Sequence, residues 1–216
     1  MYFSEISLTL LGSEITAQRI NPDSADICDS KFWHGSDVYQ FSETGNLLSM
    51  LGDGIWIRDS NVSLPRLVSK PNAGASTPVN FTVEGSNFRL GLDSTAWSQF
   101  MEPSLTVDSG SRGSVIGSFG QLRVSNNSRL EGQGLVLNQK VEINTLSSLL
   151  LRGEGTSVTN SADVTLRNSL LQVLEGASFT PNALDCAGWS AADLAENDQI
   201  IKPEGSNCRA TDDITP

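Results

Sequence analysis

Apolar residues alternate with polar ones in short runs, and the runs return along most of the chain, each followed by a polar turn. Leu8 and Leu10 precede Gly12-Ser13, and Ile55 and Ile57 precede Asp59-Ser60-Asn61. Phe81 and Val83 precede Glu84-Gly85-Ser86-Asn87, after which Phe88, Leu90 and Leu92 resume the alternation. Further units begin at Leu105, Leu122, Leu135, Leu149 and Val164, spaced 17, 13, 14 and 15 residues apart. A period of two puts one set of side chains on one face of a strand, whereas a helix needs spacings of three and four. Near-constant spacing of short strands predicts a stacked or meandering β array with degenerate repeats.

Two all-β architectures satisfy that pattern. In a parallel β-helix, or β-solenoid, each unit is one coil whose inward residues stack on the next, with Asn or Ser at the turns hydrogen-bonding along the axis. In the alternative, an antiparallel β-sandwich, each unit is a hairpin. Hairpins favour two-residue Asn-Gly or Asp-Gly turns. Asp53-Gly54 is the one clear candidate, the others reading Ser-Asn, Asn-Asn-Ser or Asn-Ser, which favours the β-helix.

The stretches from Leu122 to Leu130 (LRVSNNSRL) and from Val164 to Val173 (VTLRNSLLQV) resemble coils of the pectin-lyase-like right-handed parallel β-helices. They are similar in style to bacterial surface proteins, autotransporter passengers and phage spikes. The resemblance covers roughly residues 79 to 179 and implies a right-handed β-helix; its polysaccharide lyases carry calcium-binding acids beside a basic residue. No such Asp cluster with a neighbouring Lys or Arg stands out here.

The expected organisation is a β-solenoid over 1–179, with long loops near 21–46 and 65–78, and a C-terminal capping segment and tail over 180–216. Within the cap, Ser190 and Asp193 resemble the start of a short helix over Ser190–Glu196. A cap is required because an open solenoid end exposes strand edges and core.

With 25 acidic and 14 basic residues the chain carries a formal charge of −11. Its Arg and Lys look scattered along the sequence, which argues against a nucleic-acid partner. No run of about 18 apolar residues provides a membrane span. The first residues lack the basic and apolar regions of a signal peptide, so a mature form or an excised fragment of a secreted or cell-surface protein is expected. Cys186 and Cys208 bracket a short C-terminal segment and are expected to form a disulfide, leaving Cys28 over.

Catalytic signatures are weak. A lone histidine, His34, excludes a multi-His metal site. The acids Glu84, Asp108, Glu131, Glu142, Glu154, Asp163 and Glu175 fall near similar turn positions and could form a ladder on one side of a solenoid, or simply lie solvated. No cofactor is implied; Gly52-Asp53-Gly54 and Asp108-Ser109-Gly110 leave calcium open but match no known calcium loop.

Trp33 and Tyr39, with His34 beside them, lie in the polar 21–46 stretch and are the candidate ligand-binding residues. Exposed rings there could stack on sugars, or instead pack over an open end. The expected function is a non-enzymatic structural or adhesive segment of a larger extracellular protein, contacting a glycan or cell-surface ligand through its loops. The alternative is a β-helix polysaccharide-degrading enzyme, a lyase or glycoside hydrolase. Alkylation without reductant is expected to modify one cysteine, and all three after reduction; mass spectrometry reads the difference. Modification of all three without reductant would remove the chemical support for secretion.

Overall fold

The computed structural model describes the strands 7–11, 14–16, 24–28, 31–33 and 39–40, and residues 55–59, 61–68, 80–93, 102–174, 176–196, 199–201 and 207–209. Every described element is a strand. All pairings but one are parallel, the exception being Leu194–Glu196 against Gln199–Ile201 near the C-terminus. The chain is a right-handed parallel β-solenoid, and the antiparallel sandwich is excluded.

Three sheets run along the axis. The first stacks Ser7–Leu11, Ser24–Cys28, Ile55–Arg58, Asn80–Glu84 and Ser104–Asp108. It continues through 121–124 and 140–144 to Asp163–Arg167 and Ala183–Ala187. The second stacks Glu14–Thr16, Lys31–Trp33, the first half of Asn61–Val68, 87–91, 112–116, 129–133, Ser148–Arg152, Leu170–Val173 and the first part of Ala191–Glu196. The third is narrower and includes Tyr39–Gln40, 67–68, 117–119, 135–137, Ser157–Val158 and Ser178–Phe179. Arg112–Val124 and Arg129–Asn144 are unbroken strands that cross all three sheets, bending where their mutual register shifts, after Val115 and after Phe119.

In the first sheet Phe81, Leu105, Leu122, Val141, Val164 and Leu184 occupy one row. One coil therefore takes from 17 residues (Leu105 to Leu122) to 24 (Phe81 to Leu105). The shorter spacing expected from the sequence counted strands of different sheets as successive coils. Leu122 lies in the first sheet, Leu135 in the third and Leu149 in the second.

The inward rows fill the core. Val83, Val107, Val124, Ile143 and Leu166 are almost wholly buried, as are Leu130, Leu149 and Leu171 across the second sheet. Each such side chain contributes about 1.5–3 kcal/mol of apolar burial. Phe81 meets Phe119 edge to face with ring centroids 6.2 Å apart. Size alternates where coils would collide: a Cβ at Gly113 would run into the Phe88 carbonyl and ring, so glycine makes room for the aromatic beneath it.

The corner between the first and second sheets is the most regular feature. Ser86, Ser111, Ser128, Ser147, Ser169 and Ser190 each stand one residue before the second-sheet strand, one per coil, and all are buried. Their carbonyls accept from the next coil, as Ser86 O does from Arg112 N at 2.9 Å and Ser111 O from Arg129 N at 2.8 Å. Their hydroxyls serve the turns. Ser169 Oγ donates to Ile143 O at 2.6 Å and accepts from Arg167 N at 3.2 Å; Ser190 Oγ donates to Ala187 O at 2.6 Å.

Before each serine the chain makes its turn in left-handed backbone, at Asp59, Gly85, Ser109-Gly110, Asn126-Asn127, Thr145-Leu146, Asn168 and Gly188. Asn, Asp and Gly tolerate that region. Gly85, with φ +58°, has the further reason that a Cβ would overlap the Asp59 carboxylate below. Thr145 and Leu146 are poor choices for it and are held by Thr145 N donating to Arg167 O and Leu146 N to Asn168 O, at 2.9 and 2.8 Å.

The structure departs from expectation at both ends of the sequence. Strands Ser24–Cys28, Lys31–Trp33 and Tyr39–Gln40 lie inside the stretch expected as a loop near 21–46, and Asn61–Val68 reaches into 65–78. The stack passes Phe179 without a break. The helix expected over Ser190–Glu196 is instead the strand Ala191–Glu196, paired in register with Leu170–Val173. Ser190 donates to the turn as the last rung of the ladder rather than capping a helix, and buried Ala191 and Ala192 fit beneath a closing segment; tertiary register overrides the helical propensity of a short segment.

That segment closes the last coil. Cys186 and Cys208 are disulfide-bonded, with Cα atoms 5.0 Å apart and 22 residues between them in sequence, a link contributing about 3 kcal/mol in the chain-entropy picture. Asn207 imitates a strand: its Oδ1 accepts from Cys186 N at 2.8 Å and its Nδ2 donates to Cys186 O at 2.6 Å. Arg209 bridges Ala191 in parallel, with Ala192 N donating to Arg209 O at 2.9 Å.

The rungs are not equivalent. Ser128 Oγ is buried without a hydrogen-bond partner, whereas Ser169 Oγ has two. Replacing Ser169 by Ala is expected to lower unfolding free energy by about 1–3 kcal/mol, while Ser128→Ala is neutral or stabilising. Parallel urea titrations of the two variants check this.

Candidate functional site

The expected acid ladder does not assemble. Glu84 and Asp108 are register neighbours at the end of the first sheet, but the other acids are dispersed and engaged. Glu84 pairs with Arg58 at 3.4 Å, Glu131 with Arg152 at 2.5 Å and Glu142 with Lys140 at 2.8 Å. Asp108 Oδ1 accepts from Asn126 Nδ2, and Asp163 Oδ1 from Asn182 Nδ2, at 2.6 and 2.8 Å. Glu154 lies exposed in the turn before the third sheet, and Glu175 lies outside the described residues. Most of these partners belong to adjacent coils, so the acids brace the stack. Exposed pairs contribute about 0–1 kcal/mol each.

The aromatic candidates separate as well. Trp33 ends a second-sheet strand opposite Ser63, and Tyr39 opens a third-sheet strand opposite Leu67. His34 lies outside the described residues. Trp33 and Tyr39 are thus in strands of different sheets rather than in one loop.

A cluster not anticipated from sequence forms where the third sheet turns into the first. Glu102 precedes Pro103, whose carbonyl accepts from Gly120 N at 3.0 Å and fixes the corner. Glu102 Oε1 accepts from Ser118 Oγ at 2.9 Å and from Asn138 Nδ2 at 2.6 Å, and Asn138 Nδ2 also reaches Ser118 Oγ at 3.1 Å. The three residues come from three consecutive coils, 16 to 36 residues apart in sequence, so no local motif announces them. Glu102 Oε2 is buried without a hydrogen-bond partner among the described residues. The arrangement fixes one carboxylate as an oriented acceptor. Glycosidic cleavage uses two facing acids, and no second carboxylate is hydrogen-bonded into this cluster among the described residues.

Among the described residues no group of three His, Cys, Asp or Glu is placed to hold a metal ion, and no helix is long and apolar enough to cross a membrane. Comparison with protein-family models, curated proteins and solved structures gave no match.

One acid belongs to the closing segment. Asp185 accepts from Arg167 Nη2 at 2.7 Å and from Asn207 Nδ2 at 3.0 Å. The Arg167 hydrogen bond first, then Asn207, hold its carboxyl below its ordinary value of 3.8. A depressed folded pKa gives stability that is present above the unfolded value and lost as pH falls through the folded one. Acidification below 3.8 is therefore expected to lower the melting temperature of the wild type more than that of Asp185→Asn, as thermal scans across that window would show.

Proposed function

We propose that the chain is a non-enzymatic structural and adhesive β-solenoid segment of a larger extracellular or surface protein, with its outer faces and loops available to glycans. The observation that carries this reading is the use of polar side chains along the stack. The serine rungs, the Asn207 closure and most of the charged pairs join one coil to the next. Such joints suit a stiff spacer with an extended face, and the bonded cysteines suit an oxidising compartment. The finer affinity, with pectin-lyase-like β-helices of the adhesin or phage-spike type, is part of the same proposal and rests on the coil pattern.

A second reading, a polysaccharide-degrading enzyme, draws on one observation: the oriented Glu102 carboxylate with its unpartnered Oε2. Incubation with a polysaccharide panel separates the two. Retention on a glycan without new reducing ends or unsaturated products is the expected result. Product release that disappears in Glu102→Gln would overturn the structural reading.

A further inference from the structure

The fold gathers basic residues that look scattered in sequence. Arg112 and Arg129, 17 residues apart, are direct register partners on the second sheet, which places them about 4.8 Å apart along the axis. Arg89 opposes Ser114 on the preceding coil and is therefore diagonal to Arg112, at about 7–8 Å. All three side chains are exposed. None has an ion pair among the described residues, whereas Arg58, Lys140, Arg152 and Arg167 each have one. Like charges directly opposite on neighbouring strands are destabilising. The chain nevertheless places them so on a molecule with a net charge of −11.

The surroundings narrow the ligand. Asn87 and Ser148 flank the stacked pair in its row, and Ser114 follows Arg112 along the strand. Next on that face comes Ile116, 43% exposed and one of two large exposed apolar side chains among the described residues. Guanidinium groups take carboxylate or sulfate oxygens in a two-pronged grip. The short polar side chains can bond hydroxyls, and Ile116 offers an apolar surface to the C–H face of a sugar ring.

We infer that the outer face of the second sheet, through Arg89, Arg112 and Arg129, binds an acidic polysaccharide. A nucleic acid fits less well, because three cations on a strongly acidic protein neutralise few phosphates and the described part of this face offers no aromatic ring for base stacking. The proposal deepens the adhesive reading by naming its ligand class and the surface that takes it.

The test is binding of the intact chain to immobilised polygalacturonate, heparin, neutral dextran and single-stranded DNA, with R112Q/R129Q and K140Q as variants. Lys140 is an exposed cation on the first sheet, paired with Glu142. Retention is expected on polygalacturonate, heparin or both, the two arms separating carboxylate from sulfate recognition, and it should weaken as salt rises. The double variant should lose affinity about ten-fold or more, with K140Q unchanged. Its melting temperature should hold or rise, since the like-charge contact is gone. Absence of binding to both acidic glycans, equal retention on dextran, preference for DNA, or unchanged binding by the folded double variant would each overturn the assignment. None of these outcomes bears on the non-enzymatic reading, which is decided by product release.

Discussion

Stacking coils on one another requires that every turn satisfy its backbone without widening, and the buried serine corner is what meets that requirement. Six consecutive coils place a serine at the same point. Serine is small enough to sit inside the corner and carries one donor and two acceptor sites for turn amides and carbonyls. A buried backbone group left without a partner costs about 1–3 kcal/mol, and each coil brings several such groups to the corner. The inward valines and leucines of the first and second sheets keep their rows because this joint sets the register on both sides of it.

The regularity of that corner was partly legible in the sequence. Alternation of Leu122 with Val124 and of Leu149 with Leu151 marked strands, and the Asn-Ser turns pointed to a parallel stack rather than hairpins. The coil itself was misread, because apolar alternation reports strands and is silent on which sheet a strand joins. With a true repeat of 17 to 24 residues, Arg112 and Arg129 become neighbours; with units of 13 to 17 they look unrelated. Glu102, Ser118 and Asn138 were invisible for a deeper reason, since each belongs to a different coil and their meeting depends on where the third sheet ends. The short helix expected after Ser190 failed because local capping signals cannot compete with in-register pairing on both edges.

Protection of the last coil follows the same economy of small polar groups. The edge of the strand Ala183–Ala187 would otherwise present unpaired amides, which invite pairing with other chains. One asparagine side chain answers the Cys186 amide and carbonyl, and the disulfide holds the segment in place. Arg209 and the antiparallel strand Gln199–Ile201 cover the adjoining second-sheet strand. The closing segment is therefore built from single groups at chosen positions.

The three corners differ in how much length they accept. Between the first and second sheets the link varies only from two residues (85–86, 168–169) to four (125–128), while from the third sheet to the first it ranges from the single Gly120 to the ten residues after Asp93. Insertions and deletions at the variable corner leave the stacked rows untouched, so that corner can drift over generations while the serine joint is held. Lineages of such a chain would keep their cross-section and lose their sequence period. The outer surface could then acquire new loops without the core having to be solved again.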